Sequence, residues 1–403
     1  MKNKVNNEIK NKTENNVTNE AKSGNKSKLL LFLLFIAVIM LTAYTAYLKS
    51  GNKDLAKIDL KKLISTAMAE SSYEEGETNV TEIKYEAKDK PNFQIYKDLI
   101  IKCTLYSITA LDKNGEEQWS IPVLLNMPLL KSSEARLLVA DIGGRAIYIV
   151  EGKSIKWQTN VEGNIINAHI NEKGFISVVH EVEGYKAAIV IFDPDGQEVF
   201  TRYIADNFVL SCEVLPSEQQ IIINSLDVSG ANAGSYIEFT DLTGNPFAAL
   251  VPEQGQIYPF LLSLSDNSFV LLNDTTYIYY NKNREKLWEN KYKKIYASGV
   301  FSDKYFIVAA NKDSVKDELT QVFILNKEGK EIAKQNIGGQ IYNISTNHDI
   351  AAVNNKREVY FINNKGGFEN KYSSISDIEK VLFFNKNEAA LITKNCITII
   401  KIK

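Results

Sequence analysis

Ile108-Thr-Ala-Leu-Asp112-Lys-Asn-Gly115-Glu-Glu-Gln-Trp119 reads as a β-strand, a tight turn and a returning strand that ends on an aromatic residue. An Asp at the start of such a turn caps it with its own carboxylate, and a Gly at its end takes the positive φ that a bulged hairpin needs. The pattern recurs as Asp193-Pro-Asp-Gly196, Asp241-Leu-Thr-Gly244, Asn281-Lys-Asn-Arg284, Asn326-Lys-Glu-Gly329 and Asn363-Asn-Lys-Gly366. A shorter form, Val150-Glu-Gly152, falls between the first two. Alternating apolar strands such as Ala188-Ile-Val-Ile-Phe192 precede the turns, and Trp119, Trp157, Phe200, Phe247 and Trp288 follow five of them.

From residue 115 to residue 366 there are six intervals in 251 residues, about 42 per repeat, which is the length of a four-stranded propeller blade. Strand patterning excludes helical solenoids, leucine-rich repeats are shorter, and a β-sandwich does not repeat one turn at this period. Ala389 to Thr393 and Cys396 to Lys403 supply two strands with no hairpin partner after them, while Asn79 to Ala87 is an orphan strand before the first unit. Pairing the two ends would close a ring and remove both exposed edges. The expected fold is therefore all-β, an eight-bladed propeller over residues 77–403, with seven blades as the alternative if the terminal strands fold otherwise.

The chain ahead of the propeller divides by composition. Residues 1–28 hold seven lysines against three glutamates and few apolar side chains, a tail that cannot bury enough surface to order. Leu29 to Leu48 then runs twenty residues without a charge, bracketed by Lys28 and Lys49, with Tyr44 and Tyr47 where interfacial anchors sit. Twenty helical residues span a hydrocarbon core of roughly 30 Å, so this segment is expected to be a single transmembrane helix in the lipid bilayer. Three lysines lie just before it (Lys22, Lys26, Lys28) and five just after (Lys49, Lys53, Lys57, Lys61, Lys62), so charge alone does not choose its orientation. Because a lone N-terminal span commonly acts as an uncleaved signal, the propeller is placed outside the cytoplasmic membrane. Residues 49–76 form a polar stalk.

Composition also excludes several functions. Beyond residue 28 the chain carries 40 basic and 46 acidic residues, with none of the clustered positive charge that a nucleic-acid surface needs. Cys103, Cys212 and Cys396 are far apart and fit neither a metal spacing nor a disulfide framework, and only His169, His180 and His348 are available as imidazole ligands. No cofactor or metal site is expected. Asp141-Ile-Gly-Gly-Arg145 precedes a strand rather than a helix and reads as a β-turn, not a phosphate loop.

If the Asp/Asn-Gly turns join third and outermost strands, the loops between second and third strands all lie on the opposite face. Those loops follow Asp141, His180, Asp227, Asp274, Asn311 and Asn354, which form the candidate binding face around one channel mouth. Two are long, Ser229-Gly-Ala-Asn-Ala-Gly-Ser235 and the run from Asn311 to Glu318, and insertions confined to one face of a repeat protein mark a binding face. The competing explanation is that strand ends are polar because they are solvated.

Ala110-Leu-Asp112, Gly115 and Trp119 resemble the tryptophan-docking repeat of quinoprotein-like β-propellers, a group that includes pyrroloquinoline quinone dehydrogenases and the propeller lipoprotein of outer-membrane protein assembly. Leu138-Val-Ala-Asp-Ile-Gly-Gly-Arg-Ala-Ile-Tyr-Ile149, with the apolar segment and Phe93-Gln-Ile-Tyr-Lys-Asp98, is similar to a family of uncharacterised single-pass propeller proteins of spore-forming Gram-positive bacteria. That resemblance implies an extracytoplasmic propeller and brings no activity with it. The quinone enzymes carry neighbouring cysteines that this chain lacks, so only their scaffold carries over. The expected function is a membrane-tethered, non-catalytic binding or scaffolding module with a protein or cell-envelope partner. The alternative is an enzyme, a hydrolase or oxidoreductase, with Asp141, His180 and Asp274 at the channel mouth.

Overall fold

A computed structural model describes residues 80–402, apart from residue 218 and residues 313–318. They form eight four-stranded antiparallel sheets. Blades 1 to 7 span residues 92–122, 128–160, 165–204, 208–250, 260–291, 294–338 and 343–373, and blade 8 combines 378–401 with the strand Thr81–Lys84. Strands pair in sequence order within blades 1 to 7, while in blade 8 the earliest strand of the chain lies outermost beside the last. First strands of neighbouring blades such as 1 and 2 or 6 and 7 approach one another around the axis.

The middle strands show why the blades stack into a ring. Arg136–Asp141, Ile176–His180 and Ile350–Asn354 are apolar on both sides, because a blade is covered on both faces by its neighbours. Leu137 and Val139 pack toward blade 1, whereas Leu138 and Ala140 pack toward blade 3. Eight apolar clusters result, one between each pair of adjacent blades. The last joins Ile392, Ile397 and Ile399 of blade 8 to Phe93 and Ile100 of blade 1. Cys103 and Cys212 lie inside two of these clusters, and burial pushes the Cys103 thiol up to about 12.

Closure follows the expected route. Thr81–Lys84 runs antiparallel to Cys396–Lys401, with Thr81 opposite Ile399 and Lys84 opposite Cys396. The Tyr85 hydroxyl donates to the Thr393 carbonyl, and burial pushes its pKa up to about 12. The blade count is eight. Among the described residues no helix is long and apolar enough to cross a membrane, and the segment Leu29 to Leu48 lies outside them.

Each repeated turn joins a third strand to an outermost one, and in the six turns led by Asp or Asn the lead side chain caps the turn as expected. Asp112 Oδ1 accepts the backbone N–H of Asn114 at 2.8 Å and of Glu116 at 2.9 Å, and Gly115 takes φ +85°. The aromatic residue that follows packs on the turn of the next blade. Trp157 lies against Gly196, Phe200 against Gly244 and Trp288 against Gly329. Trp157 Nε1 donates to Pro194 O at 3.2 Å, and Trp288 Nε1 donates to Lys327 O at 2.9 Å.

Trp119 packs in one apolar cluster with Val150 and Ile155, the residues that lead into and out of the shortened turn of blade 2, where Glu151 and Ser154 flank only two residues. The chain there lacks the second turn residue whose carbonyl serves the other two indoles, and Trp119 Nε1 finds no acceptor among the described residues. A buried unpaired donor costs about 1–3 kcal/mol. Trp119→Phe should therefore be neutral or stabilising in urea unfolding, while Trp288→Phe should lose about 1–2 kcal/mol. Equal losses at both positions would show that the indole N–H is not what distinguishes them.

Candidate binding face

The antiparallel order assigns two faces. The repeated turns and the loops from first to second strands share one, here the turn face. The loops from second to third strands and the links between blades share the other, here the loop face.

All six sequence candidates stand at the loop-face end of a second strand, but in two groups. Asp141, His180 and Asn354 are buried and serve the scaffold. Asp141 accepts the Asn126 N–H at 2.6 Å, the Met127 N–H at 3.0 Å and Asn126 Nδ2 at 2.9 Å, pinning the link into its own blade. A Cβ on Gly144 would lie 1.9 Å from Asp141 Oδ2, so glycine there keeps the carboxylate in place. His180 Nδ1 lies 2.7 Å from Glu181 O, and Asn354 Nδ2 donates to Ile378 O of blade 8 at 2.9 Å. Asp227, half-buried, caps the Ser229 N–H at 2.8 Å, and that bond lowers its pKa. Asp274 is exposed, and Asn311 Nδ2 donates to the Tyr296 hydroxyl at 3.2 Å. Of the two long loops, residues 313–318 lie outside the described residues. The six do not form one polar ring, since three of them are sealed into the scaffold.

What distinguishes the loop face is apolar. Among the described residues nineteen large apolar side chains are exposed. Five of them, Val80, Val199, Phe247, Leu287 and Ile332, stand at or beside the start of an outermost strand, toward the turn face. The other fourteen all lie on the loop face, led by Ile375 at 96 %, Leu124 at 74 % and Tyr106 at 65 % exposure. Scattered exposed apolar groups need no explanation, but their segregation to one face does.

Inside the channel wall, a second feature escaped the sequence reading. Lys131, His169 and Glu213 occupy the first strands of blades 2, 3 and 4, each near the end that turns into the second strand. His169 Nε2 lies 3.9 Å from Glu213 Oε1, and Ser263 Oγ of blade 5 donates to Glu213 Oε2 at 2.7 Å. A charged residue at one register in three consecutive first strands was the available signal.

Burial lowers the His169 pKa, with Glu213 opposing and Lys131 reinforcing that shift. Burial also lowers the Lys131 pKa. As pH falls through about 6.5, the unfolded chain takes up the histidine proton before the folded one, so stability is lost on acidification. Between pH of about 7.5 and about 5.5, wild type should lose more of its urea midpoint than His169→Asn. Equal losses would assign the slope to other groups.

Residues 70–402 match the profile of a family described as "Family of unknown function (DUF5711)". No curated protein matches the chain in sequence. Among solved structures it is similar in fold to BamB from Moraxella catarrhalis, with 10 % identity, a TM-score of 0.54, and 80 % of this chain and 98 % of that one covered. Sqt1 from Saccharomyces cerevisiae shares 9 % identity at a TM-score of 0.61, covering 80 % of this chain and 99 % of that one. The C-terminal WD40 domain of Sif2 shares 10 % identity at a TM-score of 0.59, covering 79 % and 98 %. At such identities the likeness concerns the fold alone.

Proposed function

The chain belongs to this family of unknown function, DUF5711, and from that premise we propose that it is a membrane-tethered, non-catalytic module that binds a protein partner through its loop face. The observation that carries the reading is the one-sided distribution of exposed apolar side chains, fourteen of nineteen on that face. A ring whose blades are sealed by eight apolar clusters presents its loops from a rigid base, which limits the ordering penalty of binding.

Tethering rests on the uncharged run from Leu29 to Leu48, long enough to span a bilayer. The propeller is placed outside the cytoplasmic membrane because a single N-terminal span of this kind commonly serves as an uncleaved signal. The first propeller strand enters the ring from the turn face, since Thr81 pairs near the end of Cys396–Lys401 and Lys84 near its beginning. That strand leads into the ring without crossing the loop face.

The test is photo-crosslinking in intact cells from Leu124 and Ile375, compared with Leu287 and Lys153 on the turn side. A discrete protein adduct from the first pair alone supports the reading, and adducts from both pairs or from neither oppose it. Protease added to intact cells should digest the propeller. Protection until lysis would place it inside.

A further inference from the structure

We infer that the sector of the loop face built by blades 3 and 4 docks a cationic peptide segment of the partner protein, one that carries Lys or Arg beside aliphatic or aromatic side chains. The inference rests on the binding reading above and narrows it to one chemistry.

The loops of this sector, between residues 161 and 259, carry the carboxylates of Glu162, Glu181, Glu183, Asp206, Asp227 and Glu253 against a single base, Lys186. Arg145 on blade 2 and Lys293 with Lys294 at blades 5 and 6 mark its flanks. The rest of the chain beyond residue 28 is nearly balanced in charge, so this asymmetry is local. Six carboxylates repel phosphate groups, which turns nucleic acid and anionic lipid away and favours a basic partner.

Aromatic rings are interleaved with those acids. Tyr185 and Tyr203 are both about half exposed, with ring centroids 5.1 Å apart. The Tyr203 hydroxyl donates to Glu162 Oε2 at 3.4 Å, and the nearby Glu162 carboxylate raises the phenol pKa. Asn164 Nδ2 holds Glu181 Oε2 at 2.9 Å, so two of the carboxylates are oriented before any ligand arrives. Lys186 Nζ already sits 4.5 Å from the centre of the exposed Phe208 ring. The surface thus contains an intramolecular instance of the ammonium-over-ring contact that a cationic segment would make. Ile166, Val228, Ile257 and Phe260, all exposed, supply apolar seats beside the charges.

The test uses the full chain in detergent and a fluorescein-labelled peptide of Lys-Leu-Trp-Lys repeats, with a Glu-for-Lys copy as its charge-reversed control. Wild type should bind the cationic probe in fluorescence anisotropy and ignore the acidic one. The combined Glu162→Gln, Glu181→Gln and Glu183→Gln variant should bind at least about tenfold more weakly, while Glu134→Gln, Glu172→Gln and Glu328→Gln on the turn face should change affinity by less than about twofold. Both triple variants lose the same charge, so equal weakening would reduce the effect to bulk attraction and overturn the inference. No probe binding, or unchanged binding by the first variant, would also overturn it. Crosslinking from Leu124 and Ile375 could still succeed in that case. The loop face would then stand as an interface for a partner of other chemistry.

Discussion

A chain that begins at residue 86 should unfold about 5 kcal/mol more easily than one that begins at residue 78, and should aggregate. The shorter chain lacks the strand Thr81–Lys84 and, beside it, Tyr85 with its bond to the Thr393 carbonyl. Loss of the strand removes the backbone ladder to Cys396–Lys401, at about 0.5–1.5 kcal/mol per bond, and the burial of Ile83, at about 2 kcal/mol. Ile83 also packs against Gly115 of blade 1, so the seam between blades 8 and 1 opens with it. The third strand of blade 8 would become a bare edge carrying Ile397, Ile399 and Ile400, a template for intermolecular pairing. Urea unfolding and light scattering of the two chains check this. Equal midpoints would mean that the ring does not depend on its seam.

Gly329→Ala should cost about 3–4 kcal/mol, whereas Gly152→Ala should cost about 1 kcal/mol. Both glycines have positive φ, +74° and +68°, so both substitutions incur the same backbone strain. They differ in what a methyl group would meet. At Gly329 it would stand 2.6 Å from Cγ and Cδ2 of Trp288, and at Gly152 no atom of the described residues lies within 4 Å. Accommodating it at Gly329 means pushing the indole off the turn, which sacrifices the Trp288 bond to Lys327 O and part of the packing on Tyr277, Tyr279 and Phe306. Thermal unfolding of the two variants separates strain from docking, and equal shifts would show that strain is the whole effect.

Those same turns explain how much of the fold was legible. An Asp or Asn that caps a turn and a Gly with positive φ are local requirements, visible wherever they occur, and their period gave the blade length. Arg284 shows where the local rule bends. It takes the glycine position at φ +68°, and its guanidinium stacks 5.5 Å from the rings of both Phe239 and Phe247. The docking aromatic of blade 4 therefore rests on a cation where other blades offer a bare turn.

The site was less legible, because exposure in a loop depends on what neighbouring blades cover. Asp141 and Asp274 look alike in the sequence, yet one is enclosed by the Asn126 and Met127 amides and the other is open to water. Leu124 and Ile375 read as ordinary link residues until the fold places them together on one face. Lys131, His169 and Glu213 lie tens of residues apart and become neighbours only once three first strands share a register around the axis.

The pairing of the first strand with the last also sets a schedule for biosynthesis. Thr81 meets Ile399, a partner made more than 300 residues later. At a synthesis rate of about 5–20 residues per second, that strand waits roughly 15–60 s for its partner while blades 1 to 7 are being completed. The earliest segment of the propeller is thus the last to settle, and a newly made chain must shield Val80 to Lys84 until its own C-terminus arrives.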